Sequence, residues 1–345
     1  MKQNIWGKNL PDLQALMKEL GALGYRSQQL FDYMYKRGIL HFDEMVQLPK
    51  ELRNKLIESC VIDFPIIVRE QRSSDRKTAK LLLRYSDNSL IETVLMNQPY
   101  GYSVCISTQV GCAVGCTFCA SGLTGLQRNL TAAEMLAQIY LWQFLYEIKI
   151  HSFVLMGSGE PLQNYDNVLS FMKMCHDFEG LTISYRNMTL STSGITPKIY
   201  DLAKEKLPIT LALSLHAPND TIRNQIMPIS KWYPLPELLE SLQFYTQTTR
   251  RRVTCEYILL SGVNDKPEHV AELAQMIRPL RAHVNLIPLN ESPGIPYRRP
   301  EMKHSQEFCE QLQKQGIAAT IRKEMGTEIQ AACGQLKMKF VRDNA

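Results

Sequence analysis

The chain has 345 residues, 45% of them apolar, and a formal charge of +5, which supports one large domain with a smaller accessory and singles out no polyanionic partner by itself. No apolar run approaches the ~18 residues of a membrane-spanning helix, and the amino terminus reads as lacking an apolar signal region. The expectation is a cytoplasmic protein without a membrane anchor, in which nine cysteines mean metal or catalysis rather than a disulfide framework.

Residues 1–65 read as a small helical unit. Leu13, Leu16, Met17 and Leu20 lie at helical spacing behind Pro11, with Gly21 and Gly24 as stops. A second helix spans about 27–36 up to Gly38, and a third starts near Pro49. These stripes make a three-helix core; whether the unit also handles substrate is left open. Between 66 and 100 the pattern changes to short apolar runs rich in leucine and β-branched residues, 66–68, 81–83 and 91–95, separated by turn-prone 73–75 and 86–88. This predicts a β-extension linking the helical unit to the main domain, with Glu92 in its last strand.

From residue 101 onward strands and helices alternate. Strands are expected at 104–108, 152–156, 188–191, 209–215, 253–260 and 283–287, with helices between them, the first opened by a capping box at Thr131 and Glu134. Such repetition is α/β and builds a parallel sheet covered by helices. Six units predict a partial (βα)6 barrel over 101–345. In a parallel barrel the site lies beyond the carboxyl ends of the strands, where Cys112, Gly159, Glu160, Ser191, Ser214 and Asn290 all fall on this reading. Basic pairs and triplets (Lys36 and Arg37; Arg250, Arg251 and Arg252; Arg298 and Arg299; Arg322 and Lys323) read as phosphate contacts or as solvated faces.

The densest chemistry is CISTQVGCAVGCTFC at 105–119. Cys112, Cys116 and Cys119 form C-x3-C-x2-C, with Phe118 before the last cysteine and Gly111 and Gly115 allowing a tight wrap. Clustered thiolates select iron–sulfur clusters, zinc or copper(I). A [4Fe–4S] cluster with three such ligands keeps one iron open, whereas structural zinc takes four ligands, usually in paired short spacings. Zinc and simply buried thiols are the other readings of the motif.

This pattern resembles the radical S-adenosylmethionine (SAM) enzymes. Over nearly the whole chain it is similar to the RlmN family of radical SAM RNA adenine methyltransferases, with the adenine carbon-8 enzyme Cfr as close kin. The motifs that carry the resemblance include IETVLM at 91–96, GEPLQN at 159–164, STSGITP at 191–197, LSLHAPND at 213–220, HVNLIPLN at 283–290 and AACGQL at 331–336.

The resemblance implies a [4Fe–4S] cluster on Cys112, Cys116 and Cys119. It implies SAM held by Gly159, Glu160, Ser191, Ser214, Leu215, His216 and Asn290. Cys333 would accept and then donate the methyl carbon, Cys105 would resolve the RNA adduct through a transient disulfide with Cys333, and Glu92 would be the proton acceptor. Substrates would be 23S ribosomal RNA and transfer RNA, methylated at adenine carbon 2. Flavodoxin or ferredoxin would supply electrons to a monomeric enzyme.

Ser158 stands where the family has methionine in G-M-G-E-P, and Glu328, Ile329 and Gln330 stand where it has D-I-D. Pro161 follows the carbon-2 pattern, alanine the carbon-8 one. A radical SAM enzyme on another substrate, or a non-enzymatic iron–sulfur RNA-binding protein, are the alternative readings. The paired Cys105 and Cys333 speak against an inert binder. Cys60, Cys175, Cys255 and Cys309 read as buried small hydrophobes.

Overall fold

In a computed structural model, which describes residues 2–123, 125–177, 181–280, 282–291, 294–323, 325 and 329, local capping chemistry sets the first elements. A two-residue strand β1 (Gln3–Asn4) precedes α1 (Leu10–Glu19), whose Asn9 and Asp12 form a reciprocal capping box. Helix α2 (Arg26–Phe31) runs on into a π-helical turn over Asp32–Lys36, so the second expected helix is real but its last part is widened. After α3 (Lys50–Ser59), β2 (Cys60–Val61) pairs in parallel with β1 and closes the unit on itself.

The predicted β-extension forms three antiparallel strands, β3 (Ile66–Arg72), β4 (Thr78–Arg84) and β5 (Leu90–Gln98), which join the main sheet through β6 (Gly101–Cys105). The expected strand at 104–108 ends at Cys105. Beyond it a small hairpin of β7 (Gln109–Gly111) and β8 (Leu126–Asn129) brackets the cysteine loop, a feature not anticipated from the sequence.

The alternating part then proceeds in order. It contains α4 (Ala132–Tyr146), β9 (Ile150–Leu155), α5 (Tyr165–Asp177), β10 (Met188–Thr192), α6 (Thr196–Lys204), β11 (Thr210–Ser214), α7 (Asp220–Ile226), α8 (Leu235–Thr249), β12 (Thr254–Leu259), α9 (Pro267–Ile277), β13 (His283–Pro288), α10 (Met302–Lys314) and β14 (Ala318–Ile321). Ten of the described strands form one sheet in the order β14-β13-β12-β11-β10-β9-β6-β5-β4-β3. From β6 to β14 every pairing is parallel. The six expected strands are all there, and β14 adds a seventh at the edge.

Period-two alternation divides the sheet's faces. Val104, Leu155, Leu190, Leu213, Tyr257 and Leu286 belong to the apolar core beneath the helices, which is continuous from Ile5 to Ala319 among the described residues. The opposite face carries Glu92, Cys105, Ser191, Ser214, Glu256 and Asn285. The helical unit is fastened to α4: Trp6 Nε1 donates to Ala133 O at 2.9 Å, and Trp6 and Tyr35 both pack on Tyr140. No described helix is long and apolar enough to cross a membrane.

Candidate active site

The loop at 112–119 leaves β7 and returns through β8. Gly111 has φ +76°, and a Cβ there would lie 1.8 Å from Gly125 O; only glycine fits that crossing. The Cys112 amide donates to Gly125 O at 3.1 Å and the Cys119 amide to Cys116 O at 3.1 Å. All three thiols are half-buried. Burial pushes the Cys112 thiol up to about 11, with Cys119 and Glu160 adding to it. Burial also raises Cys116, and both Cys119 and Cys112 raise it further.

The three thiols therefore sit within electrostatic reach of one another, in a setting where a cationic metal centre relieves their mutual repulsion. That donor set fits an iron–sulfur cluster. Among the described residues no three His, Cys, Asp or Glu side chains converge to hold a single metal ion. A second apolar cluster surrounds the loop: Ala217, Ile226, Met227, Ile258, Leu260 and Leu289, with Cys116 and Phe118 packed against them.

Gly157, Ser158, Gly159 and Glu160 follow β9 and lie under the loop. A Cβ on Gly157 would meet Ile106 O and Ser107 N at 2.6 Å, and one on Gly159 (φ +109°) would meet Gln109 Cβ at 2.6 Å. Both glycines are thus demanded by close approach of the β6–β7 segment. Ser158, the departure from the family motif, is fully engaged there. Its amide donates to Ser107 Oγ at 3.0 Å and its hydroxyl to Gly111 O at 3.2 Å.

The Glu160 carboxylate is buried and accepts from the amides of Leu162 at 3.0 Å and Ser193 at 2.6 Å. Burial raises its pKa, and these amides pull it back. One side chain so joins the end of β9 to the turn after β10.

Ser191 on β10 and Ser214 on β11 are brought together, with their hydroxyls 3.4 Å apart. Leu215 is buried and its amide bonds to Glu256 O at 3.0 Å. His216 adopts a left-handed φ of +58°. Its Nδ1 accepts from the Ile258 amide at 3.0 Å, which places the proton of the neutral ring on Nε2. Its ring stands edge-on to Phe118 at 5.0 Å. Burial, helped by the nearby Arg223 charge, lowers its pKa to about 3. Asn290 is exposed, just past the end of β13.

Cys105 ends β6, is buried, and pairs in register with Val94 of β5. Two residues back on β5, Glu92 shares its face of the sheet, and Glu92 Oε1 lies 3.8 Å from Nζ of Lys80, itself fully buried on β4. A carboxylate and a thiol are thus neighbours beside the cysteine loop. Cys333, Glu328 and Gln330 fall outside the described residues. Cys60, Cys175, Cys255 and Cys309 are buried, as expected.

Four residues went unnoticed in the sequence. Gln138 of α4 is buried and pairs with both backbone groups of Ser107, and Ser107 Oγ donates to Glu92 O at 2.6 Å. On β12, Glu256 is register partner of Ser214 and accepts from Asn285 Nδ2 at 2.8 Å. Burial raises its pKa, against the Arg322 charge and the Asn285 hydrogen bond. Sheet register brings Glu256 and Asn285 to the site, and the packing of α4 brings Gln138 to Ser107. Gln138 and Glu256 lie outside every motif quoted above, and Ser107 and Asn285, though inside two of them, carry no metal-ligating or nucleophilic signal of their own.

A parallel sheet with a three-cysteine loop at its carboxyl rim defines a class, and the comparisons with known proteins agree with it. The model of the "Radical SAM superfamily" matches residues 106–274, and that of the "Ribosomal RNA large subunit methyltransferase N-terminal domain" matches residues 3–62. The "Probable dual-specificity RNA methyltransferase RlmN" of Symbiobacterium thermophilum is 48% identical over 99% of this chain and 93% of its own length. A protein of the same name from Clostridium novyi (strain NT) is 45% identical over 99% and 100%. Among solved structures, a radical SAM methyltransferase from Sphaerobacter thermophilus superposes with a TM-score of 0.91 at 42% identity, covering 96% of this chain and 98% of that one. The chain belongs to the RlmN family of radical SAM RNA methyltransferases.

Proposed function

We propose that this chain methylates carbon 2 of adenine in RNA, 23S ribosomal RNA and transfer RNA, by way of a methylated Cys333. The observation that carries the reading is the placing of Cys105 and Glu92 on one face of adjacent strands beside the cysteine loop. A thiol and a base at that spot suit a reaction that must end by removing a proton and cleaving a protein–RNA bond. Residues 1–65 form the accessory unit in this proposal, 66–100 the β-extension and 101–345 the catalytic partial barrel.

Carbon 2 of adenine is electron-poor, so direct transfer from a sulfonium is unavailable and a radical is required. Cys112, Cys116 and Cys119 would hold a [4Fe–4S] cluster, and Gly159, Glu160, Ser191, Ser214, Leu215, His216 and Asn290 would hold SAM. When bound, these groups supply the electron and the 5′-deoxyadenosyl radical that the chemistry needs.

The remaining steps belong to the chain. Cys333 as thiolate takes the methyl group and later carries its carbon to the base. Glu92 removes the proton from carbon 2, with Nζ of Lys80 3.8 Å from its carboxylate. Cys105, as thiolate, attacks Sγ of Cys333; the S–S bond forms as the bond from that sulfur to the methylene carbon breaks, and the electron pair left on that carbon takes up a proton, which completes the methyl group and frees the RNA. The unpaired electron of the adduct would return to the bound cluster. The apolar shell of Ile226, Met227, Ile258 and Leu289 keeps water from the radical. A reductant of the flavodoxin or ferredoxin type, a monomeric state and a cytoplasmic location complete the proposal.

Two variants test it. Cys333→Ala blocks methylation of protein and RNA alike. Cys105→Ala leaves Cys333 methylated and stalls as a protein–RNA conjugate, visible as a nuclease-sensitive mass increase. Normal turnover by Cys105→Ala refutes the resolving role, and a product co-migrating with 8-methyladenosine overturns the carbon-2 assignment drawn from Pro161.

A further inference from the structure

Helix α7 holds a buried cation that none of the motifs announces. Arg223 is fully buried, and its guanidinium donates to three carbonyls: Ser193 O at 2.6 Å, Leu215 O at 3.3 Å and Tyr233 O at 3.3 Å. Ser193 follows β10 and Leu215 follows β11, so one side chain ties together the ends of two neighbouring parallel strands. The far end of α7 makes a third tie. Ile226 O accepts from the Thr117 amide at 3.0 Å and from the Thr117 hydroxyl at 3.2 Å. A seven-residue helix thereby connects the cysteine loop to both strand ends proposed to hold SAM.

Burying a guanidinium is costly unless its donors are satisfied and its charge is used. Here burial draws the Arg223 pKa down to about 10, against the pull of Asp220 and Cys116. The same charge helps lower His216 of the rim, and the Thr117–Ile226 tie holds the helix that carries it against the cysteine loop. Both its hydrogen bonds and its field are therefore directed at the rim.

We propose that Arg223 is a positioning residue of the radical site: its planar fork fixes the strand ends that hold SAM, and its charge stabilises the thiolate-bound cluster. The proposal rests on the radical SAM reading above. Lysine retains the charge but cannot reach three carbonyls on separate segments, because it lacks the rigid fork. The two contributions can thus be separated. Loss of the fork weakens SAM binding, and loss of the charge also disfavours the more negative reduced cluster, lowering its midpoint potential.

The experiment compares anaerobically reconstituted wild type, Arg223→Lys, Arg223→Met and the exposed control Gln225→Ala. Iron and sulfide content are measured, then the electron paramagnetic resonance signal of the reduced cluster is titrated with SAM and, separately, with potential. Wild type and control should agree. Arg223→Lys should keep the wild-type potential while its SAM dissociation constant rises about tenfold or more, the factor for one lost hydrogen bond from a charged donor. Arg223→Met should bind SAM more weakly still, at a lower midpoint potential.

A merely structural tie would lower stability and move neither quantity in the folded, iron-loaded protein. Wild-type SAM affinity in the lysine variant overturns the positioning role, and it decides the matter even where the methionine variant fails to fold. A wild-type protein without a SAM-responsive [4Fe–4S] signal overturns the proposed function itself, and this inference falls with it.

Discussion

Gln138 offers the sharpest test of how the sheet is joined to the site. Its Oε1 accepts from the Ser107 amide and its Nε2 donates to Ser107 O, both at 2.9 Å, and the residue is fully buried. The side-chain amide acts as a one-residue strand partner for the chain leaving Cys105. Gln138→Leu keeps the volume but leaves a buried N–H and a buried C=O unpaired. Each orphan costs about 1–3 kcal/mol, so the pair costs roughly 2–5 kcal/mol after some apolar gain.

Urea unfolding under anaerobic conditions, with amide exchange at Ser107 as the local probe, measures this. A loss below about 0.5 kcal/mol, the range of a neutral surface change, would refute the pairing. Gln138→Glu adds a pH signature. Its carboxylate still accepts from the Ser107 amide, but only the protonated form can donate to Ser107 O. Burial and that bond raise its folded-state pKa above the ordinary value near ~4.3. The variant's stability is therefore fully present below ~4.3 and is lost as pH rises through the raised value. A flat difference from wild type between about pH 4 and 8 would show that this geometry does not govern the site.

Three further outcomes follow from separate parts of the molecule. His216 has a folded pKa lowered to about 3, so its contribution is fully present above ~6.5 and is lost as pH falls toward that value, at up to about 1.4 kcal/mol per pH unit; His216→Gln should flatten the acid limb of stability, and an unchanged limb would remove His216 as its source. Gly111→Ala drives a Cβ to 1.8 Å from Gly125 O and should cut iron incorporation severalfold on reconstitution. Gly125→Ala, with open space around its Cβ but a left-handed φ of +64°, should cost about 1–2 kcal/mol, and equal iron loading of the two variants would contradict the crossing. Glu134 completes the Thr131 capping box and pairs with Arg128 at 2.7 Å. Both partners of that pair are partly exposed, so Glu134→Ala should cost about 1–2 kcal/mol in denaturant unfolding.

Much of the architecture was legible along the chain because it is written in local chemistry. The capping box at Thr131 and Glu134, the short apolar runs alternating with helical stretches and the glycines at 111, 157 and 159 each announce an element or a close approach by themselves. The cysteine triplet states its chemistry through ligand type and spacing, and the ordered motifs state the family. Elements lacking such signals were missed. Strand β14 is four residues long with a mixed burial pattern, α7 is seven residues long, and the β7–β8 hairpin pairs only short segments. None is long enough to show a period.

What the sequence determined by itself was the family, the alternating order of the sheet and the identity of the chemically distinctive residues. What only the tertiary structure decided was which ordinary polar residues serve them: Gln138 and Ser107 behind Cys105, Lys80 beside Glu92, Glu256 level with Ser214, and Arg223 joining three segments of the rim. The physical reason is that each of these acts through sheet register or through a hydrogen bond to a carbonyl or amide far away in the chain. Backbone groups are present at every residue, so a partner for them leaves no mark in the sequence. Only the packing of strand ends, which puts residues 107, 138, 193, 215 and 223 around one rim, gives those side chains their task.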